Sequence, residues 1–412
     1  MHVSSAPAGD PSTAPTGSDP LASLRVGLVC SEIHARRPGQ VIVNANLGRL
    51  ETCLRERLPH SRLCINRVPA PEGFMDFALP CADEDVVDLP PMPTTIKSQK
   101  HYFRAARVLQ EFARSVDLLY IRLPFQIPRA VLGLRTPKLL HITGNPVEII
   151  DASTDYRGVL GFLARRFARH SMAMMRRTVA EPHTRTVTNG GELWEKLRVK
   201  HGRVVVSSAM YRSEMRPRTD FTLADPPRLL FVGFMRPEKG VEVLVEAFDL
   251  LRKRRPLKLT LAGGVDRQSG STELLNQRLA ASPYRDDITL TGAVDFGEPV
   301  FDLYRRHDLF VLPSLSEGTP RTLVEARALG CPVVASRVGG IPTSVADGQD
   351  GILVPPHDPR ALAAAIERVL DDHALRQNLI DEGLRRMAAC SVEGFAEQLV
   401  AELRILAADR YR

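Results

Sequence analysis

Lysine is scarce in this 412-residue chain, at 8 against 47 arginines, and there is a single tryptophan. The arginine excess reads as a mark of GC-rich coding more than of a phosphate-binding surface. No segment approaches the ~18 consecutive apolar residues of a membrane-spanning helix. Residues 1–24, rich in Ser, Ala, Pro and Gly, have neither a basic start nor an apolar run. They read as a disordered tail, not a signal peptide. The expected location is cytoplasmic, with free solution or peripheral contact with the inner face of a membrane left open. Six cysteines (Cys30, Cys53, Cys64, Cys81, Cys331, Cys390) show no metal-like pairing, which suits a reducing compartment. Asp83-Glu84-Asp85 is a common loop composition, and no metal site is expected. A Gly-x-Gly-x-x-Gly turn with an acid about 20 residues later is missing from both Val26 to Gln40 and Phe231 to Gly240, which argues against a nicotinamide cofactor. Basic runs interleaved with aromatics are also missing, which argues against nucleic acid. What remains is a globular composition, 44% hydrophobic and 25% charged, with material for two domains.

The most informative stretch is Glu317-Gly318-Thr319-Pro320-Arg321-Thr322-Leu323-Val324-Glu325, where two carboxylates straddle a helix start. Thr319 reads as the N-cap, Pro320 as the first helical residue and Gly330 as the terminator. The amides of Arg321 and Thr322 are then open at the positive end of a helix dipole, a place for a phosphate. Glu325 shares that helix face and Glu317 precedes the cap; carboxylates there suit neutral hydroxyls of a sugar or ribose. The ligand implied is part phosphate and part polyol. A capped amphipathic helix containing a glutamate is also ordinary architecture, so the context matters. Apolar runs at Leu309–Pro313 and Cys331–Ser336 flank the segment as strands, placing its loop at the carboxyl end of a parallel sheet, where ligands bind.

A second strand-to-helix turn lies upstream. Arg228–Val232 runs into Gly233-Phe234-Met235-Arg236-Pro237-Glu238-Lys239-Gly240, followed by a helix with Val241, Leu244, Val245, Phe248 and Leu251 on one face. Lys239 and Arg236 would bring positive charge to a phosphate; the bland alternative is a solvated surface loop.

These residues resemble the nucleotide-sugar-dependent retaining glycosyltransferases of the two-domain GT-B type, specifically family 4. The likeness covers Glu317 to Glu325 as the Glu-x7-Glu motif, Pro237 to Gly240, Leu261 to Gly264, Leu290 to Gly292, Ser336 to Pro342 and Asp347 to Pro356. It is strong from about Arg228 to Leu370 and weak before that. The resemblance implies an α/β GT-B fold, two Rossmann-like doubly wound domains facing an inter-domain cleft. It implies a sugar moved with retention from a nucleoside diphosphate sugar to an acceptor hydroxyl, with no metal or other cofactor. Lys239 would contact the diphosphate, the amides of Arg321 and Thr322 the distal phosphate, Glu325 the ribose and Glu317 the transferred sugar. Arg236, Gly318, Thr319 and Leu323 complete the expected donor-binding set. Two departures stand out. Phe234 occupies a position where the family usually has arginine, and Pro320 removes a backbone N–H.

The amino-terminal half has the pattern of an acceptor-side domain, with strand-like runs at Arg25–Cys30, Val116–Arg122, Lys138–Thr143 and Thr184–Thr188. Many family members end the third of these with a site histidine, where this chain has Gly144-Asn145-Pro146. His141 reads as a core or sheet-face residue, Asn145 as a hydrogen-bonding candidate for a sugar hydroxyl, and Gly144 and Gly39 as glycines giving backbone room at the cleft. No acidic residue lies between Asp155 and Glu181, while Arg157, Arg165, Arg166, Arg169, Arg176 and Arg177 alternate with Leu160, Leu163, Phe167 and Met174. Such a stripe is usually one face packed on its own sheet with a solvated basic back; the alternative is a helix lying on an anionic membrane.

The expected organisation is a tail (1–24), an amino-terminal domain (25–211), a linker (212–227), a donor domain (228–390) and a final helix (391–412) packing back across the cleft. Acceptors consistent with the residues are a polysaccharide or lipid-linked intermediate, or a small natural product such as an aminocyclitol, as in antibiotic biosynthesis. Two other readings stay open: a sugar-nucleotide epimerase of GT-B fold, and a non-catalytic sugar-nucleotide binding protein.

Overall fold

The computed structural model describes residues 19–67, 77–90, 99–123, 128–152, 158–264 and 271–410. Among them, short buried runs of branched residues separated by amphipathic helices build two sheets. The first holds β1 (Val26–Arg37), β2 (Gln40–Val43), β3 (Ser61–Arg67), β4 (Phe77–Pro80), β5 (Val86–Leu89), β6 (Leu118–Leu123), β7 (Lys138–Ile142), β8 (Thr184–Asn189) and β9 (Gly202–Val205). Its path is β4-β2-β1-β6-β7-β8-β9, with β3 on β1 and β5 on β3. The β2 and β4 pairings are antiparallel and the rest parallel. The second sheet holds β10 (Arg228–Val232), β11 (Lys258–Ala262), β12 (Ile288–Gly292), β13 (Leu309–Leu312), β14 (Val333–Ser336) and β15 (Ile352–Val354). It is wholly parallel, in the order β12-β11-β10-β13-β14-β15.

That order reverses between β10 and β13. The chain steps outward from β10 through β11 to β12, then returns to the other flank of β10 as β13. The loops leaving β10 and β13 therefore diverge from adjacent strands and leave a crevice at their carboxyl ends. Leu229, Leu230, Phe231 and Leu309 to Leu312 are buried, so both loops start from a fixed base.

The final helix, Val392–Asp409, lies on the first sheet: Val392, Phe395, Leu399, Leu403 and Leu406 share a core with Leu28, Leu47, Leu54 and Tyr120. Its Glu402, 1% exposed, accepts from Arg185 at 2.5 Å and Arg203 at 2.6 Å, tying the helix to β8 and β9. The tail expected over 1–24 ends earlier than that. Leu21 and Leu24 are buried in the same core and Asp19 pairs with Arg404 at 2.7 Å, while residues 1–18 lie outside the described residues. A turn at residues 20–23, in which the Leu24 amide donates to the Leu21 carbonyl at 3.2 Å, brings the two leucines to the core together.

Candidate functional site

The site forms where the loops after β10, β13 and β14 meet. Gly240 ends the first loop at φ +60, and a Cβ there would stand 2.3 Å from the Pro313 carbonyl oxygen. Only glycine allows that approach. The amide of Leu315 donates to the Glu238 carbonyl at 2.8 Å, so the two loops are joined by backbone. The third loop closes from the other side. Gly339, φ +52, lies so near the Glu317 carbonyl oxygen that a Cβ would be 1.7 Å from it, and the Gly340 amide donates to that carbonyl at 3.3 Å.

This framework brings Lys239 to Glu317. The Lys239 ammonium is in ion-pair contact with Glu317 Oε1, which also accepts from the Ser314 hydroxyl at 2.9 Å. The Glu317 side chain is 9% exposed and that of Lys239 23%, so the pair is largely shielded yet open on the cleft side. Ser314 was not singled out in the sequence; a serine three residues before a glutamate carries no distinguishing signal.

The helix bearing the second glutamate is Arg321–Ala328, and its N-cap is Pro320, not Thr319. Pro320 has ψ 122 and so remains extended, while its carbonyl accepts the first helical bond, from Leu323 at 3.3 Å. Proline offers no side-chain oxygen to the first turn, so the N-cap residue itself caps none of the helix's first amides. The Thr319 hydroxyl is instead buried without a partner, facing the Gly190 backbone. Gly330, φ +75, follows the last helical turn as expected. Leu323 departs from its expected place: its side chain is fully buried in the core and cannot line a ligand site. Gly318 is exposed, with open space where a Cβ would be.

Glu325 is 5% exposed and its Oε2 accepts from the Tyr304 hydroxyl at 3.1 Å. Burial pushes its carboxyl up to about 7, against smaller lowering effects of Tyr304 and Arg321. Tyr304, on helix Glu298–Arg306, is a second residue that the sequence did not flag. Two residues after Glu325, Arg327 is fully buried, in ion-pair contact with buried Asp350 and donating to the Ser344 carbonyl at 2.8 Å. This pair fixes the helix against the Asp347 to Gly351 turn.

The remaining expected residues are more dispersed. Arg236 is exposed, its guanidinium 5.2 Å over the Phe234 ring, which is itself 54% exposed beside Gly264. Gly144 and Asn145 follow β7 at the carboxyl end of the first sheet. Asn145 uses its side chain locally, accepting from the Val147 amide at 3.0 Å and donating to Glu148 at 2.7 Å. Gly39 lies in the exposed β1–β2 hairpin turn at φ +71 with nothing near a Cβ position; the turn conformation, not close approach at a cleft, accounts for it.

His141 is buried between the Tyr120 hydroxyl, which donates to its Nδ1 at 2.8 Å, and Asn189 Oδ1, which accepts from its Nε2 at 3.1 Å. Burial, with nearby Arg122, lowers it to about 3, so it is neutral at physiological pH. A small polar chamber beside it is lined by Asn46, Arg122, Asn189, Ser207 and Arg321. The two sheets' loops also meet at Gly191, whose amide donates to the Thr343 hydroxyl at 3.1 Å. Among the described residues no cluster of three His, Cys, Asp or Glu side chains has the arrangement of a metal site.

Residues 226–372 match the family model described as glycosyl transferases group 1. The carboxy-terminal half resembles that family. The matched residues include Lys239, Glu317 and Glu325. Over 204 residues the chain is 33% identical to the D-inositol 3-phosphate glycosyltransferase of Arthrobacter sp. (strain FB24), covering 48% of this chain and 47% of that one. It is 34% identical over 179 residues to the alpha-D-kanosaminyltransferase of Streptomyces kanamyceticus, covering 43% and 45%. The alignment therefore spans about half the length of the curated relatives it matches. Among solved structures, sucrose-phosphate synthase from Thermosynechococcus elongatus superposes with a TM-score of 0.70 at 20% identity, over 94% of this chain and 100% of that one. Anabaena HepE in complex with UDP gives 0.63 at 15% identity, over 92% and 99%. The fold is GT-B, and the residues that match the group 1 model lie in its second half.

Proposed function

We propose that the chain is a retaining glycosyltransferase that moves a sugar from a nucleoside diphosphate sugar to an acceptor hydroxyl without needing a metal. The observation that carries this reading is the Lys239–Glu317 contact at the strand-order reversal, beside the start of a helix whose N-cap, Pro320, supplies no side-chain cap. A diphosphate entering there would compete with Glu317 for Lys239. Lys239 and the Arg321 and Thr322 amides would then take the charge that develops on the departing diphosphate. Glu317, released from Lys239 but still held by Ser314, would accept from a hydroxyl of the transferred sugar. Glu325, on the same helix, would serve the ribose. Supply of positive charge by Lys239, helped by exposed Arg236, is the reason no metal is invoked.

Support for a nucleotide-sugar donor comes from UDP in the HepE complex, and support for a polar cyclic acceptor from the kanosaminyl- and inositol-phosphate-named relatives. A small polyol or aminocyclitol acceptor, as in antibiotic biosynthesis, and a lipid-linked one are both compatible with this site. Cytoplasmic location belongs to the same proposal; among the described residues no helix is long and apolar enough to cross a membrane.

The test is nucleoside diphosphate release across UDP-, GDP- and ADP-sugars in EDTA, with and without pooled acceptors. Acceptor-dependent release with a product retaining the donor's anomeric configuration is expected. Sugar isomerisation without acceptor would replace this reading with the epimerase. Lys239→Ala should lower turnover at least about tenfold; activity within about twofold of the parent would remove Lys239 from the site.

A further inference from the structure

The helix Gly158–Val179 packs one face on the first sheet through Ala168, Met172, Met175 and Val179. Its first three turns carry a different load outward. Val159 is 76% exposed, Phe162 61%, Leu163 39% and Phe167 56%, all on the side opposite the packed face. Arg166 lies among them, Arg169 and His170 border them, and half-buried Arg165 flanks the stripe. The helix has no acidic residue, and Arg165, Arg166 and Arg169 make no ion pair or hydrogen bond with a described residue. Two exposed phenylalanines and an isoleucine-sized pair of aliphatics on one helix face are more than a solvated basic back requires. The usual form of such a stripe, polar on its outer side, is therefore not what this helix presents.

We propose that this face docks on an anionic lipid bilayer. Apolar side chains would enter the headgroup–acyl boundary while the surrounding arginines reach lipid phosphates. The charge pattern selects the occupant. A second copy meeting this face about a two-fold axis would set an acid-free arginine stripe against itself, which is repulsive. A neutral apolar partner would leave the arginines without counter-charge. An anionic bilayer satisfies both features. The placement is useful as well: from the carboxyl end of β7 the chain passes through the short helix Pro146–Ala152 into this helix and leaves it for the start of β8, which sets its first turns toward the carboxyl end of the sheet. Arg157, the remaining arginine of the sequence stripe, lies outside the described residues.

This surface does not rest on the transferase reading and is tested without activity. The full chain is floated with phosphatidylcholine vesicles, with and without phosphatidylglycerol, at low and high salt. Binding restricted to the anionic vesicles and weakened by salt is expected. Phe162→Ser with Phe167→Ser should abolish flotation. Arg165→Gln, Arg166→Gln and Arg169→Gln together should weaken partitioning about a hundredfold, near fivefold for each charge. Unchanged circular dichroism and melting temperature would keep loss of fold out of the comparison. The proposal is overturned if the parent ignores anionic vesicles, if either variant binds them as the parent does, or if sedimentation shows a dimer that the Phe162→Ser, Phe167→Ser variant dissolves.

Discussion

Replacing Glu325 by glutamine should make the protein more stable at pH 8 than at pH 5 relative to the parent. Burial raises the Glu325 carboxyl from 4.5 to about 7. A raised value means that the folded state prefers the protonated form, so this group's stabilising contribution is complete below the unfolded value and is lost as pH climbs through the folded one. At ~1.4 kcal/mol per pH unit, the rise amounts to about 3 kcal/mol lost between pH 4.5 and 7. Glutamine keeps an oxygen for the Tyr304 hydroxyl, now 3.1 Å from Oε2, and never ionises. Urea unfolding of parent and Glu325→Gln, followed by circular dichroism from pH 5 to 8, gives the difference directly. The variant's advantage should grow by about 2–3 kcal/mol across that range. A difference that stays level with pH would mean that Glu325 is ionised at ordinary cost in the fold and that the buried setting argued above is wrong. The same titration bears on donor binding, since a carboxylate accepts two ribose hydroxyls whereas a protonated carboxyl accepts fewer.

Asp350→Ala should cost about 3–5 kcal/mol, because it leaves the Arg327 guanidinium buried without its counter-charge; a loss under about 1 kcal/mol in urea melts would mean that water reaches and solvates the guanidinium. Glu317→Gln frees Lys239 from an ion pair, so nucleoside diphosphate should bind about fivefold tighter in titration calorimetry while turnover falls; weaker binding would place Glu317 on the nucleotide's side instead. Gly190→Ala, at φ +88 and with its new Cβ 2.7 Å from the Thr319 hydroxyl, should separate the two domains and enlarge the radius of gyration measured by X-ray scattering; an unchanged radius and turnover would show that the contact is incidental.

The second half was legible because its physics is local and repeated. β10 and β13 are continuous apolar runs of the kind that parallel strands buried on both faces require. The turns after them bear Gly240 and Pro320, which mark helix entries in any sequence. The first half was less legible: β2 to β5 and β9 went unrecognised, while β1, β6, β7 and β8 appeared as apolar runs. β3 reads Ser-Arg-Leu-Cys-Ile-Asn-Arg, with charged ends and a short core, and β2 and β4 have four residues each. Such strands exist because neighbours complete them, which sequence periodicity does not record. The helix cap was misplaced by one residue for a related reason. Threonine is the better cap by composition, but Thr319 faces Gly190 of the other domain, a contact visible only once the chain is folded.

That contact also explains how the spacing of the glutamates becomes geometry. Glu317 lies in a loop and Glu325 in the helix that follows, so sequence distance alone leaves their separation free. Two backbone approaches and one buried ion pair remove that freedom. Gly240 against Pro313 binds the Lys239 loop to the Glu317 loop, Gly339 against Glu317 holds the same loop from the other side, and Arg327 with Asp350 pins the helix beneath. Two of the three need glycine, because any side chain would push the loops apart by more than an ångström. The residues that position the site are thus largely ones without chemistry of their own, and the ion pair of Lys239 and Glu317 is as close as it is because backbone, not side chain, sets the distance between their loops.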